Sequence, residues 1–227
     1  MLSFTSPYTW LIIGVVITVT LISMILHELM HGLVAYWLGD TTAKLSGRLT
    51  LNPLRHIDPI MTIVLPVLLA IFRLPIFGGA KPVPFNPDRV KGGELGAALV
   101  ALAGPMTNLL LAFLAYVILA LLHISPFEIG VQSDIIRQIA VLFLYYTVVI
   151  NLGFFAFNIL PIPPLDGSRV LFAVAPAAVQ RVMSFIEERC GLWLVLMLVL
   201  FCGDILGNMM QQIIDGVMVG FGYIIGL

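Results

Sequence analysis

Two histidines four residues apart, His27 and His31, with Glu28 beside the first, are the residues of this chain best suited to chemistry. Positions i and i+4 of a helix share a face, so both imidazoles can converge on one metal ion. Glu28 is then placed to reach water activated by the ion without being a ligand itself. It can take a proton as that water attacks a carbonyl and hand the proton to a leaving amine. A catalytic zinc takes three protein ligands and leaves a fourth position open, so a third ligand must come from elsewhere. His56, His123 and the few acidic residues are the candidates. Asp166 is the best of them, because it follows a long apolar helix and sits in a rigid proline-rich segment beside Gly167. His123 reads as an interfacial residue, and His56 as a solvated loop histidine near Arg55 and Asp58.

The elements that must position these groups belong to a membrane protein. Hydrophobic residues make up 60% of the 227 and charged residues 10%, against roughly 45–50% and about 25% in an average soluble domain. Met1 to Leu26, Leu95 to Leu122 and Gln138 to Leu165 carry no charged side chain, and each exceeds the roughly 20 apolar residues that cross a hydrocarbon core. The first run has no Lys or Arg ahead of it and no small-residue cleavage site behind it, so it reads as a retained helix and not as a secretory signal. Two His and a Glu adjoining such a helix are costly unless they bind, pair or line a cavity, and intramembrane ionisable residues default to function. A chance pattern at a wet helix end is the weaker reading.

The first helix is expected from about Trp10 to Leu38, ending at Gly39-Asp40. Thr41 to Asp58, with Lys44, Arg48 and Arg55, is a surface loop in which Leu45 to Leu51 could form a strand or hairpin arm. Pro59 to Phe72 is apolar but short, and Leu74 to Pro87 reads as turns and extended chain. A helix from about Glu94 to Leu122 contains a break at Ala103-Gly104-Pro105 and a polar Asn108 that should face protein or a cavity. The next covers about Ile135 to Ile159 and runs into extended proline-rich chain. A charged patch lies at Arg181 to Arg189, and the tail from Cys190 to Leu227 is one helix or two. The overall expectation is an all-α multi-spanning protein of about five to six transmembrane helices with a re-entrant or hairpin segment near the active site. It is a single polytopic domain over 1–227, with a catalytic core at about 10–170 and C-terminal helices at about 171–227.

Three motifs in order resemble the site-2 proteases, a family of intramembrane zinc metalloproteases: His27-Glu28-Leu29-Met30-His31-Gly32, Ala103-Gly104-Pro105-Met106-Thr107-Asn108, and Asn158-Ile159-Leu160-Pro161-Ile162-Pro163-Pro164-Leu165-Asp166-Gly167. The resemblance implies one Zn2+ per chain held by His27, His31 and Asp166, with Glu28 as catalytic base. It also implies a substrate-side or oxyanion role for Asn158, which as a residue could equally cap its helix, and for Asn108. The segment Gly79-Ala80-Lys81-Pro82-Val83-Pro84-Phe85-Asn86-Pro87 is similar to the compact prokaryotic members, which lack a PDZ or CBS domain. The implied substrate is a transmembrane protein or peptide in the bilayer of a prokaryotic cell membrane.

Two rivals come from other classes. A metal-ion transporter would be expected to show paired repeats, and none is present. A non-catalytic zinc scaffold would have no need of Glu28 and would close all four zinc positions with protein ligands. Net charge is −1 without a long basic run, which argues against nucleic-acid partners, and Cys190 and Cys202 read as packing residues. If His31 and Asp166 bind one ion, the chain between them crosses an even number of times. Pro59 to Phe72 is then re-entrant or lies against the protein without spanning. The positive-inside rule puts Lys44, Arg48, Arg55, Arg73, Lys81, Arg89 and Lys91 in the cytoplasm, and with them the active site.

Overall fold

The computed structural model describes residues 6–71, 79–123 and 134–226. Arg73, Glu128 and the end of the segment expected to reach Phe72 lie outside the described residues. The chain is all-α, with no strand among the described residues. The described residues form eight α-helices in order: α1 Pro7–Trp37, α2 Thr42–Leu45, α3 Leu65–Ile71, α4 Gly93–Leu121, α5 Ile135–Asn158, α6 Asp166–Val174, α7 Ala177–Phe201 and α8 Gly203–Ile225.

Helices α1, α4 and α5 are long and apolar enough to cross a membrane. Their 31, 29 and 24 residues span at least about 36 Å at 1.5 Å per residue, against a hydrocarbon core of about 30 Å. Trp193–Phe201 and Gly203–Ile225 pass the same test only together, and they meet at 92°. Spanning candidates among the described residues therefore number three, or four with the bent pair, fewer than composition alone suggests. The tail is two helices, and the charged patch at Arg181 to Arg189 lies inside α7.

Helix α4 is central and packs on α1, α5 and α6. It can do so because its buried face is small: Gly96, Ala97, Ala98, Ala101, Gly104, Ala112 and Ala115 let neighbouring backbones approach. Pro105 does not break it. The helix continues through Ala103-Gly104-Pro105 to Leu121, with the proline ring itself buried. The entry to α4 holds Gly92, its N-cap, at φ 94 and Gly93, its first residue, at φ 58, a left-handed pair natural to glycine.

The chain between α1 and α4 runs out and back. A π-helical turn over Pro59–Val64 continues into α3. Its 6 and 7 residues cover only about 20 Å, too short to span. Gly79 N–H then donates to the Met61 carbonyl at 3.2 Å, and Thr62 Oγ1–H donates to the Gly79 carbonyl at 2.7 Å. The segment begins and ends at one place, as a re-entrant path requires. Leu45 to Leu51 forms no strand arm. Its backbone is satisfied locally, by Arg48 N–H to Ala43 O and Gly47 N–H to Lys44 O, in place of a ladder.

Candidate metal centre

Helix α1 brings His27 and His31 to one buried face, one turn apart. Asp166 reaches them as the first residue of α6, after the proline-rich turn that ends α5. That turn is tight enough to require glycine next to the acid, since a Cβ at Gly167 would overlap the Ile159 carbonyl. The Asp166 carboxylate places Oδ2 3.2 Å from His27 Nε2 and 3.4 Å from His31 Nε2, while the two Nε2 atoms stand 3.0 Å apart. Among the described residues these three form the one group of His, Cys, Asp or Glu placed to hold a metal ion.

The trio fits zinc on two grounds. Ligand atoms about 2.0–2.1 Å from a tetrahedral zinc stand about 3.3 Å from one another, close to the three separations found. The hydrogen bonding also suits a cation. His31 Nδ1 lies 2.7 Å from the Val100 carbonyl and His27 Nδ1 lies 2.6 Å from Asn108 Oδ1. Both Nδ1 atoms therefore donate, which leaves a lone pair on each Nε2. Two bare nitrogens then face Asp166 Oδ2, which is buried and has no donor. Three acceptors gathered without a proton or ion between them repel, and a metal relieves that.

Gly104 of α4 closes the back of the site. A Cβ there would lie 2.6 Å from His27 Nε2 and closer still to His31 Nε2, so only glycine fits. In front, a cavity of about 610 Å³ opens beside His27 and Glu28, walled by Met24, Phe154, Phe157 and, from α8, Met210. Asn158 lines this cavity, and its side-chain N–H donates to the Phe154 carbonyl. Asn108, expected on the substrate side, lies behind the metal site. It is fully buried between His27 and Asn151 and does not line the cavity.

Glu28 faces the cavity with one oxygen tied down: Val83 N–H donates to its Oε2 at 2.9 Å. The segment that carries Val83 is held by a residue that sequence reasoning passed over. Arg48, expected as a loop charge, is buried, and its guanidinium donates to the carbonyls of Arg55, Lys81 and Pro82. His56 is buried as well, not solvated, because its Nε2 bonds the Thr50 carbonyl and the His56 carbonyl accepts from Lys81 N–H. It takes no part in the metal group, and neither does exposed His123 beyond the end of α4. Asp40, just past α1, is fully buried and accepts from Thr42 N–H, Thr42 Oγ1–H and Asn86 N–H. Burial works against its charge, but those hydrogen bonds and nearby Arg89 outweigh it and hold the carboxyl below the usual carboxylate range. Cys190 is exposed and Cys202 partly buried, so the first is no core residue.

Comparison with known proteins agrees with this chemistry. The model of Peptidase family M50 matches residues 123–202, a range that contains Asp166. A protein of Bacillus subtilis (strain 168) named “Putative zinc metalloprotease YwhC” is 41% identical over 169 residues, 74% of this chain and 72% of that one. A protein of Mycolicibacterium smegmatis named “Putative zinc metalloprotease Rip2” is 32% identical over 181 residues, 79% of this chain and 64% of that one. Its counterpart of the same name in Mycobacterium tuberculosis (strain H37Rv) is 31% identical over 191 residues, 83% of this chain and 66% of that one. No solved structure gives a significant match. Such kinship favours neither the transporter nor the scaffold. With a zinc-fitting trio beside a glutamate, in a membrane protein 41% identical to one named as a zinc metalloprotease, the chain belongs to peptidase family M50, the site-2 protease family, and is a zinc metalloprotease.

Proposed function

We propose that this protease cuts peptide bonds in or beside transmembrane segments of other membrane proteins, using one zinc per chain held by His27, His31 and Asp166. The observation that carries the reading is the convergence of those three ligand atoms next to an apolar cavity set among membrane helices, whose lining includes His27 and Glu28. When bound, zinc supplies Lewis acidity that polarises a scissile carbonyl and brings the pKa of water to about 7. Glu28 accepts the proton released as water attacks, and returns it to the leaving amine. The Val83 N–H fixes the carboxylate so that its second oxygen serves as the base. Asn158, on the cavity wall, keeps a second amide N–H beyond its bond to the Phe154 carbonyl, and this would donate toward the developing oxyanion.

Residues 10–170 form the catalytic core of a single multi-pass domain, and residues 171–227 complete the substrate's apolar wall. The N-terminus lies outside the cell membrane and the zinc site in its cytoplasmic half. This orientation is supported by Lys44, Arg48, Arg55, Lys81, Arg89 and Lys91, which cluster on loops at the His31 end of α1. The return of the chain from Met61 to Gly79 supports an even number of crossings between His31 and Asp166. The test is cleavage by purified enzyme of a panel of single-span membrane proteins in detergent, beside an unfolded soluble protein. Cuts mapped within or next to the apolar span, abolished by a chelator and restored by zinc, are expected. Efficient cutting of the soluble chain alone would overturn the intramembrane assignment.

A further inference from the structure

A line of buried polar side chains runs from the metal site into the apolar core of α5. His27 Nδ1 meets Asn108 Oδ1 at 2.6 Å, Asn108 Nδ2 donates to Asn151 Oδ1 at 2.8 Å, and Asn151 Nδ2 donates to Ser23 Oγ at 2.9 Å and to the Thr147 carbonyl at 2.8 Å. Asn108 and Asn151 are fully buried and Ser23 nearly so. The last contact decides the direction of all the others. The Thr147 carbonyl can only accept, so Asn151 must turn its amide nitrogen toward it. Asn151 then offers its oxygen to Asn108, Asn108 must answer with its nitrogen, and its oxygen is left for His27. An amide oxygen can only accept, so the His27 proton sits on Nδ1 and the Nε2 lone pair points at the metal position.

We infer that Asn151 is a positioning residue of the metal centre, setting the tautomer of His27 through Asn108 although it touches neither the ion's ligands nor the cavity. This rests on the proposed role of His27 as a zinc ligand. The two histidines differ in why they need it. His31 leans on the backbone carbonyl of Val100, which has one polarity. His27 leans on a side-chain amide, which can rotate and present either an acceptor or a donor. With the nitrogen turned to His27 Nδ1, the ring proton would move to Nε2 and block the metal. Asn151 holds Asn108 in the productive sense, and Thr147 and Ser23 hold Asn151.

The test is zinc affinity by competition with a chromophoric chelator, on detergent-purified wild type, His27→Ala, Asn151→Leu and Asn151→Asp. Asn151→Leu is expected to weaken zinc binding about 10–100-fold, the usual effect of losing an outer-shell partner. Asn151→Asp keeps an oxygen facing Asn108 whichever way the carboxylate turns, and is expected to bind zinc at least tenfold more tightly than Asn151→Leu. A merely structural role predicts the reverse order, since leucine packs in an apolar bundle and a buried carboxylate is costly there. Leucine at or above aspartate in affinity overturns the inference. If Asn151→Leu does not accumulate, 15N spectra of histidine-labelled, metal-free wild type decide the matter: His27 protonated on Nδ1 supports the relay, and protonation on Nε2 overturns it. A wild type that binds zinc equally well after His27→Ala defeats the ligand assignment itself, whereas zinc lost with His27 but indifferent to Asn151 defeats only the relay.

Discussion

The helices packed around His27 and His31 and the C-terminal pair of helices are built differently. Around His27 and His31, α1, α4 and α5 meet through small residues and a closed set of buried hydrogen bonds, and Gly104 leaves no room for one more carbon. Helices α7 and α8 meet at 92°, expose Trp193, Phe201, Ile205 and Tyr223, and carry glycines at 203, 207, 216 and 220 around which nothing lies within 4 Å of an added Cβ. Ligand geometry tolerates little displacement, whereas a wall for variable apolar segments needs room to adjust. The contrast teaches that the candidate metal trio sits in the tight group, while the cavity beside it is lined by both groups, by Met24, Phe154 and Phe157 of α1 and α5 as well as by Val199, Leu206 and Met210 of α7 and α8.

The strongest way to break this contrast is to remove a ligand. His27→Ala, His31→Ala or Asp166→Ala should leave protein purified in detergent with little zinc and no cleavage, because one of three ligands carries much of the affinity. Normal zinc content in Asp166→Ala would mean that the third ligand lies elsewhere. Next in size is Gly104→Ala, which drives a methyl into both imidazoles. Zinc affinity should fall by about tenfold or more, and an unchanged value would show that α4 gives way more readily than its packing implies. The same substitution at Gly216 in α8 meets open space and should leave zinc affinity where it was.

A smaller effect is expected where Glu28, the proposed base, is steadied. Arg48→Met frees the carbonyls of Lys81 and Pro82 beside the Val83 N–H that holds Glu28. Turnover should drop about tenfold with zinc retained, as slight misplacement of a catalytic group does. Loss of zinc in parallel would make Arg48 a general scaffold residue.

The smallest effect concerns acid stability outside the membrane. The folded-state pKa of Asp40 lies below its unfolded value, so its contribution is present above the ordinary carboxylate range and is lost as pH falls through the lowered value. Asp40→Asn should therefore melt below wild type at neutral pH, by an interval that closes on acidification. A widening interval would contradict the assignment.

Much of this was legible in the residues. The i, i+4 spacing of His27 and His31 and the turn before Asp166 pointed to the trio, and the helices expected over Trp10 to Leu38, Glu94 to Leu122 and Ile135 to Ile159 match α1, α4 and α5 to within a few residues. What stayed hidden depends on register between distant segments. Asn151 stands 128 residues from Ser23 and 43 from Asn108, so no local spacing joins them. A polar residue inside an apolar span was the available signal. Arg48 and His56 looked like solvated loop charges because the partners that bury them are backbone carbonyls, and any sequence supplies those. Pro105 looked like a helix break because the contacts that keep α4 continuous come from its neighbours.

The most direct test of the central claim is to measure zinc content and peptide-bond cleavage on one preparation of Glu28→Gln. The amide keeps the shape of the side chain but cannot take a proton. The expected result is about one zinc per chain, as in wild type, with cleavage of a single-span substrate abolished. Turnover near wild type would remove Glu28 as the base, and zinc lost together with activity would make it a part of the metal site instead.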